Sequence, residues 1–181
     1  MIVPVALLAL ARGDSDAPPS RTPTTAPGPR PFDPSRAVVG APAPAITLPT
    51  TDGETFRLAD LRGRPVVVNF FASWCRPCEK EMPVLESLAR DGRVSVVGVT
   101  FRDSPGDARA FVRRLGVTFP TLIDDDTESA VARAYGVRSP PMTYFIDADG
   151  RIASPPVYGG VRPADLRPGL ARIAPGVTPP S

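Results

Sequence analysis

The chain has 181 residues, room for one domain of ordinary size and too little for two unless both are minimal. Its 21 Lys+Arg against 19 Asp+Glu leave a formal charge of +2, too balanced for a nucleic-acid groove or a polybasic membrane arm, and its 25 prolines exclude a chain packed throughout. Histidine is absent, which removes Ser-His-Asp and Cys-His nucleophile pairs, histidine zinc sites and the c-type haem motif.

In chain order, residues 1–11 hold a short apolar run ending Ala9-Leu10-Ala11, the small-x-small pattern of a signal-peptidase site, and are expected to be a signal or anchor remnant. The run is too short to cross a bilayer as a helix. Residues 12–42 are rich in Pro, Ser, Thr, Asp and Arg with almost no large apolar side chain, a composition that cannot repay its ordering entropy; they read as a disordered linker. Residues 43–174 form the folded domain, and 175–181 a disordered tail.

Within the domain, Ile46 to Leu48 and Thr55 to Leu58 flank Asp52-Gly53 and predict a hairpin. Val66 to Phe71 is a continuous β-branched and aromatic run, the mark of a strand buried on both faces. Pro77 to Arg90 carries Met82, Leu85, Leu88 and Ala89 at helical spacing, with Gly92 as the stop. Val94 to Thr100 predicts a second buried strand, and Ser104-Pro105 opens a helix closed by Gly116. Thr121 to Ile123 reads as a short strand, Thr127 to Tyr135 as a helix capped by Asp124-Asp125-Asp126, and Thr143 to Ile146 as a strand that Asp149-Gly150 turns into Arg151 to Ala153. A last helix is expected over Ala164 to Ile173, with Pro168 against it. Strands alternating with helices give an α/β class with a mixed sheet.

The chemistry is carried by the two cysteines, Cys75 and Cys78, in a single C-x-x-C. A four-cysteine zinc site cannot close, and a static bridge over so short a loop removes little unfolded-chain entropy, so redox exchange is the better use of the spacing. At a strand-to-helix junction the Cys75 sulfur meets unpaired backbone N–H groups and the positive end of the helix dipole, which stabilise a thiolate and make Cys75 the nucleophile. Cys78, one turn on, is the resolving thiol. Pro77 occupies the first turn at no hydrogen-bond cost, and Arg76 stands beside the thiolate. Glu81 lies three residues beyond Cys78 on the same helical side, where a partly buried carboxylate can pass protons. Trp74 is read as an apolar rim for substrate peptides, and Asn69 as a strand residue bonded to backbone.

The segment Val67-Val68-Asn69-Phe70-Phe71-Ala72-Ser73-Trp74-Cys75-Arg76-Pro77-Cys78-Glu79-Lys80-Glu81-Met82-Pro83 resembles the active site of TlpA/ResA/DsbE-like thiol-disulfide oxidoreductases of the thioredoxin superfamily, over about residues 40 to 173. The resemblance implies a thioredoxin fold, a mixed central sheet flanked by helices, with the hairpin as an N-terminal addition. It makes Pro141, in Ser139-Pro140-Pro141-Met142, the family's cis-proline facing the disulfide, and Glu81 an active-site carboxylate. The residue before that proline pairs its backbone with incoming peptide in the family; here it is Pro140, which has no N–H to give.

The implied activity is extracytoplasmic exchange of disulfides with protein substrates, as a reductant of the cytochrome c maturation type or, alternatively, as an oxidant installing disulfides in exported proteins. The implied partners are protein thiols or disulfides and a membrane redox protein that recycles the pair. No cofactor beyond the Cys75–Cys78 disulfide, no metal and no nucleic acid is expected, and the chain is expected to be a monomer. Two other readings remain: a thiol peroxidase, against which Ala72 stands where the peroxidatic Thr would be, and a Cu(I) carrier using two soft thiolates, which has no flanking His or Met to help it.

Overall fold

The structure, a computed structural model, describes residues 37–125 and 129–179. The expected signal remnant and most of the expected linker lie outside these residues, as do Asp126, Thr127 and Glu128.

The body is built on β3 (Val66–Phe71), which is buried along its whole length, as its unbroken apolar run requires. After it, α1 (Arg76–Asp91) leads to β4 (Ser95–Thr100), and α2 (Pro105–Leu115) to β5 (Thr121–Leu122). Then α3 (Ala130–Ala134) leads to β6 (Met142–Ile146), β7 (Val157–Tyr158) and α4 (Pro163–Ile173). The five strands lie in the order β5-β4-β3-β6-β7, parallel from β5 to β3 and antiparallel from there outward. Strand alternation sorts the core into two layers. Val67, Phe71 and Phe145 face α1, α2 and α4; Val66, Val68, Phe70 and Tyr144 face α3 and the N-terminal hairpin.

That hairpin, β1 (Thr47–Pro49) with β2 (Thr55–Arg57), does more than decorate. Thr51 N–H donates to the Thr121 carbonyl and Ile123 N–H to Pro49, so it covers the edge of β5, which would otherwise offer unpaired backbone to another chain.

The ends of α1 and α2 follow their sequence signals, whereas α3, expected over Thr127 to Tyr135, covers Ala130–Ala134, because Ser129 is left-handed and stands outside the helix as its N-cap. Ser104 accepts from Asp107 N–H at the start of α2, Gly92 and Gly116 close α1 and α2 in the left-handed conformation, and the Asp124 carboxylate takes the Ala132 N–H of α3.

Four further expectations need correction. Pro168 does not stop α4, which runs through it; its neighbour Gly169 lets the helix settle on the Phe145 ring, with the ring carbons 2.4 Å from where a Cβ would stand. Arg151 to Ala153 is not the edge strand: only isolated bridges join Ile152 to Ile146 and Arg151 to Pro42, and β7 pairs with β6 instead. The linker does not extend to residue 42, since Gly40 N–H donates to the Ile152 carbonyl and Arg151 Nη1 to the Gly40 carbonyl. The tail is ordered past residue 175, with Arg93 Nη1 donating to the Gly176 carbonyl and Val177 packed on the core.

Candidate active site

The chain leaves β3 through Ala72, Ser73 and Trp74, and Cys75 caps α1. Cys75 and Cys78 are joined in a disulfide. Cys78 is wholly buried and Cys75 is 5 % exposed, so Cys75 is the sulfur an incoming thiol can reach. The Cys75 Sγ accepts the Cys78 N–H at 3.2 Å, one of the orphan donors of the first helical turn. Pro77 sits in that turn as its sequence position requires.

The turn into the helix is clamped from the loop after β4. Asp103 accepts both the Ser73 N–H at 2.6 Å and its hydroxyl at 2.8 Å, and the Trp74 indole N–H donates to the Arg102 carbonyl at 3.3 Å. Arg102 itself is left-handed, with φ 47°, and its N–H is held by the Ser129 hydroxyl. Such a conformation costs a non-glycine residue about 1–3 kcal/mol and persists only when its neighbours fix it.

The Pro140–Pro141 bond is cis. Phe70 is registered against Met142, so Pro141 lies beside the end of β3 from which the cysteines depart. The Pro141 carbonyl accepts the Gly159 N–H at 3.0 Å, tying the proline loop to the loop after β7. That loop also presses on the helix: a Cβ on Gly160 would stand 3.2 Å from the Pro77 carbonyl oxygen, a fit only glycine allows without displacement.

Behind the disulfide is a buried polar network. Glu81, 1 % exposed, accepts the Val161 N–H at 2.7 Å on one oxygen and the Asn69 amide at 2.9 Å on the other. The same amide nitrogen donates to Thr143 Oγ1 at 3.0 Å, and Asn69 Oδ1 has no partner. Burial pushes the Glu81 carboxyl up to about 7, against the lowering effect of the Val161 and Asn69 hydrogen bonds. A cleft of about 310 Å³ lined by Pro77, Lys80, Glu81, Val84, Gly160 and Val161 runs beside it.

Asn69 is therefore bonded to side chains, against the sequence expectation. The signal was present: alternation puts Asn69 on the face of Val67 and Phe71, which is the face α1 covers. Thr143, Val161 and Gly160 have no comparable signal, since their place depends on strand pairing and on a loop that returns to the helix.

Of the residues singled out from sequence, Trp74, Cys75, Arg76, Pro77, Cys78 and Glu81 come together through the turn and first turns of α1, and Pro140 and Pro141 join them across β3. Trp74 and Arg76 are exposed, Pro140 half-buried and Pro141 buried. Among the described residues no group of three or more Cys, Asp or Glu side chains converges where a metal ion could sit.

Comparison with known proteins agrees with this geometry. Residues 39–154 match the AhpC/TSA family model. The thiol-disulfide oxidoreductase ResA of Geobacillus thermodenitrificans is 35% identical over 141 residues, 76% of this chain and 79% of that one. A solved structure of a DsbE-type thiol:disulfide interchange protein from Chlorobium tepidum superposes with a TM-score of 0.66 at 30% identity, over 76% of this chain and 99% of that one. A secreted disulfide oxidoreductase of Mycobacterium tuberculosis gives 0.62 at 29% identity, over 70% and 94%. With a C-x-x-C disulfide at a helix start beside a cis-proline and relatives of this kind, the chain belongs to the AhpC/TSA family and, within that thioredoxin-like fold, is a thiol-disulfide oxidoreductase of the ResA/DsbE type.

Proposed function

We propose that the protein works outside the cytoplasm as a reductant of protein disulfides, with Cys75 as nucleophile, Cys78 as resolving thiol and Glu81 as the group that moves protons. The Cys75 thiolate attacks one sulfur of a substrate disulfide, forming a mixed disulfide and releasing the other sulfur as a thiolate. Cys78, giving up its proton toward Glu81, then attacks the Cys75 sulfur; the second substrate sulfur leaves and the Cys75–Cys78 disulfide forms. Two electrons pass to the substrate, whose two sulfurs take up two protons. A membrane dithiol partner returns both electrons to the pair.

Trp74, Arg76, Pro77, Pro140 and Pro141 form the surface that meets the substrate peptide. Pro140 supplies no N–H, so a peptide lying along it is held by fewer backbone hydrogen bonds than a non-proline residue would allow.

The observation that carries the direction is the buried Glu81 one turn beyond Cys78. Its negative form disfavours a thiolate nearby in a medium of low dielectric, which raises the tendency of the dithiol to give up electrons. Arg76 acts the other way, but it is exposed and screened by water and salt, so the buried group outweighs it. Support for the compartment comes from the secreted relative. No helix among the described residues is long and apolar enough to cross a membrane.

Equilibrating the pair against glutathione tests the direction. A potential near the thioredoxin value of about −270 mV is expected, and one near the about −120 mV of a strong oxidant overturns it. Cys75→Ser abolishes exchange, whereas Cys78→Ser accumulates mixed disulfides with substrate; full turnover in Cys78→Ser refutes the two-step route.

A further inference from the structure

Four large apolar side chains stand exposed among the described residues: Val38 and Val39 near the N-terminus of the body, Trp74 at 59% and Tyr158 at 75%. The last two flank the disulfide. Trp74 immediately precedes Cys75. Tyr158 pairs with Met142, the residue after the cis-proline, and the next residue, Gly159, donates to the Pro141 carbonyl. Exposed rings on either side of a reactive sulfur are what a peptide-binding surface needs, because they supply large contact area at little cost in side-chain entropy.

The charges around them are one-sided. Two of the carboxylates around the site are paired with arginine, and the other two face inward. Glu79 is paired with Arg114 at 2.6 Å and Asp165 with Arg162 at 3.0 Å, whereas Asp103 keeps its charge but turns it toward the Ser73 N–H and hydroxyl, and Glu81 is buried behind the disulfide. Three cations are neither. Arg76 opens α1, Lys80 lines the cleft beside Pro77, and Arg138 stands two residues before Pro140; all three are exposed and none has a carboxylate partner among the described residues. The chain as a whole carries only +2, so this excess is local.

We propose that the face around the disulfide docks an acidic, cysteine-bearing segment of a partner protein, its apolar side chains against Trp74 and Tyr158 and its carboxylates against Arg76, Lys80 and Arg138. This deepens the reading that Cys75 exchanges with protein sulfur and rests on it. Charge complementarity of this kind acts chiefly on the encounter rate and is weakened by salt. Among the described residues β7 is the last strand on its side of the sheet, so the segment can lie extended beside Tyr158.

The test uses the reduced full chain and three peptides sharing one disulfide-bonded core, flanked by glutamates, serines or lysines, with exchange rate constants measured at about 50 mM and about 1 M salt. At low salt the glutamate peptide should react about tenfold faster than the serine peptide and the lysine peptide more slowly than both, with the three converging at high salt. In a Lys80→Ser, Arg138→Ser double variant the glutamate-to-serine ratio should fall toward one. Tyr158→Ser should slow all three peptides by a similar factor and keep the ratio. Equal rates for glutamate and lysine peptides at low salt, or a preference that survives high salt, overturns the docking proposal while leaving disulfide exchange standing. If no peptide reacts, the exchange reading itself falls, and the docking proposal with it.

Discussion

At the scale of single residues, Asn69 holds the buried Glu81 carboxyl beside the disulfide, and burial raises that carboxyl to about 7. One amide nitrogen serves both Glu81 and Thr143, while the amide oxygen is buried with nothing to bond. The hydrogen bond to Glu81 favours its charged form. Asn69→Ala removes that bond, so the inflection that Glu81 gives the pH–rate profile of exchange, expected near pH 7, should move to higher pH; Glu81→Gln should erase it. An inflection that stays in place in Asn69→Ala would show that the amide does not tune the carboxyl. Cys75, Cys78 and Glu81 were legible in the sequence because one helix carries them at fixed spacing. The partners of Asn69 are not legible in the same way, because a strand residue's partner depends on which helix covers that face.

At the scale of elements, strands and helices with strong periodicity fell where their apolar pattern put them, β3 to the residue. The misplacements occurred where the local rule met a tertiary contact. Pro168 lacks an N–H and would end an isolated helix, yet α4 continues because Leu166, Leu170 and Ile173 are buried against the sheet on either side of it. Gly169 is what permits that burial. Gly169→Ala would drive a methyl group into the Phe145 ring, which is 1 % exposed and has no free volume to enter. A loss of about 2 kcal/mol is expected, read as a lower denaturation midpoint with an unchanged slope. A midpoint within error of the parent would mean that helix and sheet are not in close contact there. Asp149-Gly150 is a sound turn signal that predicts an edge strand directly after it; the turn forms, but only bridges follow it, and pairing resumes at Val157.

For the whole molecule, the buried carboxyl links stability to pH. In the unfolded chain Glu81 loses its proton near 4.5, in the folded chain at about 7. Between these values the folded state binds more protons than the unfolded one, so stability falls as pH rises and the loss is complete above pH 7. The cost is of the order of 3 kcal/mol. The fall in unfolding free energy from about pH 4 to about pH 8 should therefore be smaller in Glu81→Gln than in the parent by roughly that amount, measured on the oxidised form of both. Identical pH dependence in the two would place the carboxyl in contact with water.

The segment from Gly40 to Pro42 is bound to Arg151 and Ile152, and Gly176 to Arg93. Ile152 bridges to Ile146, which faces Val66, and Ser95 stands opposite Val66 on the other side. Both ends of the described chain thus emerge at the heel of the sheet, five residues of β3 away from Phe71 and the sulfurs at its toe. Whatever is attached there, a leash to a bilayer, an affinity handle or a fused domain, pulls on the heel and leaves the toe free to swing toward its clients.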